Sequence, residues 1–234
     1  YVEGVRVRGD FNGDSYIDFV MEDGTVKLGA FNDTFTTISS NLSIFNVNGR
    51  LNAFVVSTVL DTDGSIYNGN AIFIYNGSNL DGYILKDNQF VKFFTKSVND
   101  PEWCQGTSGF CRLDRYYDSA DIDGDGISDI LLKVKKSAGT FAGATIEYKG
   151  DYLIDSRNVN TPISKITTTG IDDNLYKEQK FLDVDGDGKT EVINISNSTY
   201  TVFEFVKTGV NQYLKKIKFT SNLVETKDTD FPIL

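Results

Sequence analysis

The sequence predicts an all-β protein built from β-propeller blades, and three observations carry that expectation. Apolar, aromatic-rich runs are broken at short intervals by Gly, Asn and Asp, with 17 Phe, 12 Tyr and 21 Gly among 234 residues. That is the composition of strands separated by turns. No stretch sustains a helical period. An acidic loop that runs into a short apolar strand recurs along the chain, at a spacing that suits one four-stranded blade per repeat.

The repeats are GDFNGDSYIDFV from Gly9, LDTDGSIYNGNAIFIY from Leu60, ADIDGDGISDILL from Ala120 and LDVDGDGKTEVINI from Leu182. Their first acids, Asp10, Asp61, Asp121 and Asp183, lie 51, 60 and 62 residues apart, and the second aligns after one inserted residue. A further echo, NVNGRLNAFVV from Asn46, breaks the spacing and is set aside. A single region, 1–234, is therefore expected, divided approximately into repeats 1–50, 51–110, 111–172 and 173–234.

Each repeat is expected to hold four strands. A β-rich run enters the loop, as in LNAFVVSTVL before Asp61 and YKEQKFL before Asp183, and DFVM, AIFIY, DILLKV or EVINI leaves it. A third strand follows, such as TVKLGAF, ATIEYKG or YTVFEFV, and then a fourth, such as FTTI, QFVKFF or YLKKIKF. Alternation in TVKLGAF and YLKKIKF marks half-buried strands. The stretch from Ser97 to Arg112, with Trp103 and both cysteines, is the one long insertion. Four repeats are at the lower limit of what closes into a ring. With a start at Tyr1 inside a first strand, the chain is expected to be a mature or excised piece. It reads as the arc of a larger propeller whose other blades cover its open edges.

The loops carry the chemistry. In the third repeat Asp121, Asp123, Asp125 and Asp129 stand at positions one, three, five and nine, and Ile127 offers its carbonyl at position seven. A tight loop turns alternate side chains to one concave side, so these oxygens converge. Calcium takes about six to eight oxygen ligands in irregular geometry and fits such a mouth better than magnesium. Gly124 and Gly126 permit the winding. The fourth repeat offers Asp183, Asp185, Asp187, the carbonyl of Lys189, and Glu191. The first offers Asp10, Asn12, Asp14, the carbonyl of Tyr16, and Asp18, with Ser15 where the others have Gly126 and Gly188. If that place needs a positive φ, Ser15 is strained. About three Ca2+ ions are expected. The loop at Asp61 keeps Asp63 but has Ser65, Tyr67 and Gly69 at the later positions, and is expected to keep the turn without the ion.

An EF-hand begins similarly but needs Glu at position twelve and flanking helices. Here position twelve is Leu132 or Asn194, and strands follow. Plain hairpin turns remain the alternative for any one loop, and three spaced copies with an acid at position nine argue against it.

These loops resemble those of FG-GAP repeats, also called VCBS repeats, which build integrin-like β-propellers. The resemblance spans nearly the whole chain. It implies that each acidic loop joins the first two strands of a blade and holds calcium. GDFNGDSYIDFV is also similar, more loosely, to segments of bacterial Rhs-type proteins and of the B component of tripartite insecticidal toxins. That similarity implies a propeller beside a shell around a toxic cargo.

Composition narrows the function further. With 33 acids, 23 bases and a formal charge of −10, the chain repels phosphate backbones and anionic membranes, so neither nucleic acid nor membrane insertion is expected. The absence of His removes Ser-His-Asp, Cys-His and His-metal chemistry within the chain. No residue stands out as catalytic, and the chain is expected not to be an enzyme. It reads as a calcium-stabilised binding or scaffolding module of a secreted or cell-surface protein. Its expected partner is a protein, a carbohydrate or the rest of a longer chain. The propeller of a polysaccharide lyase, or a lectin, is the alternative. Cys104 and Cys111 lack the partners for a zinc site and are expected to form a local disulfide in an oxidising compartment, two reduced thiols being the other reading. Five sequons, at Asn32, Asn41, Asn76, Asn194 and Asn197, would matter only in a eukaryotic secretory pathway.

Overall fold

The computed structural model describes residues 4–39, 42, 53–99, 110–139, 145–158, 160–168, 178–196 and 199–222. All regular structure there is β apart from one three-residue 3-10 turn at Phe31–Asp33. No helix among these residues is long and apolar enough to cross a membrane. The Cys104–Cys111 pairing and Trp103 lie outside the described residues.

Two four-stranded antiparallel sheets come first. One holds β1 (Val5–Gly9), β2 (Asp18–Met21), β3 (Thr25–Ala30) and β4 (Thr34–Ser39), and the other β5 (Ala53–Val56), β6 (Ala71–Tyr75), β7 (Asn79–Lys86) and β8 (Gln89–Ser97). Next come β9 (Phe110–Ala120), β10 (Asp129–Gly139), β11 (Thr145–Ile154) and β12 (Ser164–Thr168), then β13 (Glu178–Leu182), β14 (Glu191–Ser196), β15 (Thr199–Gly209) and β16 (Gln212–Asn222). These two groups do not remain separate sheets. β12 pairs in parallel with the start of β16, Ile166 opposite Tyr213. The result is one eight-stranded, nearly closed, barrel-like sheet in the order β13-β14-β15-β16-β12-β11-β10-β9.

The second strands begin where expected: DFVM, AIFIY and EVINI open β2, β6 and β14. The loop before β6 differs. Gly9 pairs with Asp18, Ala120 with Asp129 and Leu182 with Glu191, each pair enclosing eight residues (10–17, 121–128 and 183–190). In the second sheet Val56 pairs with Ala71, enclosing fourteen residues (57–70). The insertion is therefore six residues rather than one. β5 stops at Val56, although the apolar run continues to Leu60. Val59, beyond the strand, is fully buried, so that run serves the core and not the ladder.

The face-to-face packing of the sheets explains the patterns. β2 alternates buried and half-buried positions, as a one-sided strand does. AIFIY in β6 is apolar without alternation because both of its faces are covered. Ile72 and Ile74 meet Val7, Phe11, Val20 and Val26 of the first sheet. Ala71 and Phe73 face the other way, into a cluster with Ile130, Leu132, Val134 and Ile154 of the eight-stranded sheet. Tyr117 stacks on Phe54 there, 5.1 Å between centroids at 7°, so it is part of an inter-sheet seam. Two-residue turns with left-handed Asp87, Asn88 and Asn211 close the long hairpins β7–β8 and β15–β16. Asn194 is fully buried, which removes its sequon as an acceptor in the folded protein.

Phe73 lies at the centre of this arrangement, fully buried and in ring contact with Phe54, Phe93 and Phe94. Phe73→Ala is expected to cost about 3–5 kcal/mol, measured by denaturant unfolding. A loss under about 1 kcal/mol would mean that the sheets are not packed through this residue.

Candidate metal centre

The three strong loops share one hydrogen-bond template. The position-one carboxylate accepts from the peptide N–H groups of positions four and six: Asp10 from Gly13 (2.7 Å) and Ser15 (2.8 Å), Asp121 from Gly124 (2.8 Å) and Gly126 (2.8 Å), and Asp183 from Gly186 (2.7 Å) and Gly188 (3.0 Å). The position-five acid accepts from the N–H of position seven, at 2.9 Å in Asp14–Tyr16, Asp125–Ile127 and Asp187–Lys189. Local Asx bonding of this kind replaces a regular turn and winds the chain about the first carboxylate.

Position six has φ of 71° at Ser15, 84° at Gly126 and 88° at Gly188, so Ser15 carries the left-handed backbone that the sequence led one to expect. Ser15→Gly should stabilise the protein by up to about 1 kcal/mol, seen as a raised melting temperature. A lowered one would mean that the hydroxyl outweighs the strain.

Position nine closes each loop. Its carboxylate is buried, with Asp18 at 0%, Asp129 at 5% and Glu191 at 2% exposure. One oxygen accepts from the N–H of position two, in Phe11 (2.7 Å), Ile122 (3.2 Å) and Val184 (3.0 Å). The second oxygen separates the loops. That of Asp18 accepts from Gly29 N–H at 2.8 Å, where β3 comes so close that an added Cβ on Gly29 would run into the Ile17 carbonyl. That of Glu191 meets the Lys218 ammonium at 2.8 Å. That of Asp129 has no donor among the described residues.

Carboxylates gather accordingly. Asp121, Asp123 and Asp129 form one cluster and Asp183, Asp185 and Glu191 another, with oxygens all within 4.8 Å of one another. These are positions one, three and nine, three of the four carboxylates expected to converge in each loop. Asp125 and Asp187 stand outside the clusters. Asp125 meets the Arg157 guanidinium at 2.9 Å. Asp10, Asp14 and Asp18 do not gather in this way, and the Asn12 amide donates to Asp14 at 2.8 Å. An all-oxygen, anionic donor set of this kind fits a hard divalent cation at the second and third strong loops.

Asp61 sits elsewhere in its repeat. It begins a small turn within the long loop, where Gly64 N–H and Ser65 C=O bond back to it and Leu60 bridges Ile66. Lys86 lies 2.5 Å from its carboxylate. Burial alone would raise Asp61, but Lys86 and Thr62 hold it below the usual range. The residue at the strand start, where the other loops have an acid, is Ala71.

The loops also touch. Thr190 N–H donates to Asp121 C=O, Asn70 N–H to Asp10 C=O and Ser128 N–H to Thr58 C=O. Asn70 Oδ1 accepts from Asp10 N–H in return, at 2.8 Å. Sequence reasoning missed Arg157, Lys86, Lys218 and Asp155, the last adding negative charge near Asp123 and Asp129. All four come from strands or loops remote in sequence, and no local signal marks them.

A scan against protein-family models and a search of curated proteins both find no match to this chain.

Burial, followed by the charge of Asp123, pushes Asp129 up to about 8 from 3.8. A raised carboxyl favours folding while it keeps its proton, so its contribution is full below about pH 4 and is lost as pH climbs through about 8. In chelator, melting temperature should therefore fall between about pH 5 and pH 8, and Asp129→Asn should flatten the slope. A rise over that range, or a slope indifferent to the substitution, would refute this.

Proposed function

We propose that the chain is a non-catalytic, calcium-stabilised module for binding or scaffolding, its four meanders being propeller blades of the FG-GAP or VCBS kind in an arc of a larger assembly. The observation that carries the reading is the pair of three-carboxylate clusters built on one repeated template. Like charges so close, one of them in a buried site, are unfavourable without a cation. Asp121, Asp123 and Asp129 would hold one Ca2+, with no other cationic group on Asp129 among the described residues, and Asp183, Asp185 and Glu191 a second. Calcium there acts by neutralising the loop and fixing it against its neighbours.

Several features support the blade reading: four successive antiparallel meanders, sheets packed face to face, and first strands that neighbour one another, β1 beside β5 and β5 beside β9. The parallel joint between β12 and β16 departs from a ring of separate blades. The proposed setting is a secreted or cell-surface protein, with a protein, carbohydrate or continuation of the same chain as partner. The similarity to bacterial toxin propellers suggests a large toxin chain as one such setting.

Calcium titration and melting curves test the ion. Chelation is expected to lower the melting temperature. Asp123→Asn, which keeps the shape and drops one charge, is expected to weaken binding at the Asp121 loop about tenfold, or ~1.4 kcal/mol. Asp123 makes only a 3.3 Å contact with Asp125 N–H, so this change spares the turn. Identical curves with and without chelator would make the loops ordinary turns and end the calcium reading.

A further inference from the structure

We infer that Lys218 is a tethered cation occupying the place of a divalent ion in the Asp183 loop, so that this loop closes without calcium and binds it only by displacing the ammonium. The inference rests on the calcium reading above for its final clause. Lys218 belongs to β16, far along the chain from the loop. Its Nζ lies 2.5 Å from Asp185 Oδ2 and 2.8 Å from Glu191 Oε1, two of the three carboxylates that make the cluster.

The backbone is shaped for this contact. Val202 pairs with Phe219 and Phe203 with Ile217, so Lys218 is the extra residue of a β-bulge with no partner opposite. Bulges re-aim side chains, and this one delivers an ammonium to the cluster. An ammonium is a compact point charge with three donors and no acceptor, which suits a nest of carboxylate oxygens. Being attached to the chain, it meets the loop at high effective concentration and must be displaced before another cation can enter.

The neighbouring loop shows what is special here. Its cluster uses the same three positions, but its nearby cation, Arg157, turns to Asp125 at position five and leaves the cluster itself alone. The second repeat has a simpler lysine–acid contact and, among the described residues, no cluster. There Lys86 Nζ meets Asp61 at 2.5 Å and the Thr62 hydroxyl at 3.2 Å. Of the two clusters, that of the Asp183 loop has an ammonium on it, and that of the Asp121 loop has none among the described residues.

The test compares the full chain with Lys218→Met by calcium titration, reading affinity, and by melting in chelator. The variant should hold the ion of the Asp183 loop at least about tenfold more tightly than the native chain, melt lower in chelator and recover when calcium is added. Lys218→Gln serves if the methionine disturbs packing. On the native protein, acetylation of amines followed by peptide mass spectrometry should find Lys218 protected in chelator and labelled several-fold faster in excess calcium. A variant that binds calcium no more tightly at this loop than the native chain overturns the inference, as does one that melts like the native chain in chelator, or Lys218 labelling that ignores calcium. Failure of the Asp121 loop to bind calcium is seen separately through Asp123→Asn and counts against the calcium reading instead.

Discussion

The buried carboxylate at the start of each second strand is the constraint on which the loops depend. Its first oxygen pins the N–H of position two and so sets where the chain turns from one strand to the next. Its second oxygen is then held out of water, where an unmatched charge is costly. The chain meets this demand differently each time. Asp18 takes a peptide N–H from Gly29, Glu191 takes the Lys218 ammonium, and the second repeat discards the acid for Ala71. Asp129 has no such partner among the described residues, and burial, followed by the charge of Asp123, pushes its carboxyl up.

This constraint bears on more than the loops themselves. Each loop after the first donates a peptide N–H to the connection of the preceding repeat: Asn70 to Asp10, Ser128 to Thr58 and Thr190 to Asp121. Winding a loop correctly therefore also fixes how two four-stranded groups meet at that end. Below the loops the meeting is apolar, through the Phe73 and Ile72 faces of β6. The apolar faces supply most of the driving force but are tolerant of small slides, whereas the loop bonds have direction and distance. Position comes from the polar end and adhesion from the core.

Much of this was legible in the residues. The starts of the second strands could be placed to the residue in all four repeats, because an acid or small residue followed by a mostly apolar run marks both the turn and the burial. Ser15 could be singled out because its counterparts are both glycine, and its φ of 71° follows. What was hidden has a common cause, contact between residues distant in sequence. The LNAFVVSTVL run does not reveal that pairing ends at Val56, since Val59 is as buried off the ladder as it would be on it. Nothing in SKITT or YLKKIKF announces that they pair with each other in parallel. Nor does an alternating strand disclose a bulge at Lys218, which displaces one lysine among several into an acidic cluster.

The difference between a free and a tethered cation changes what each seam of the protein responds to. A loop neutralised by Lys218 keeps its charge balanced when calcium is scarce, so the turn into β14 does not need the ion to close. The Asp121 loop lies where Ser128 reaches Thr58 of the second sheet and Thr190 reaches Asp121. It thus touches both the sheet before it and the repeat after it. A free ion bound there, as proposed, would couple two junctions, and its loss would loosen both. Linkage makes that coupling depend on ion concentration. With a net charge of −10, the chain also concentrates cations around itself. On that reading, the repeat whose acid has no partner among the described residues is the one where the surroundings would set stability.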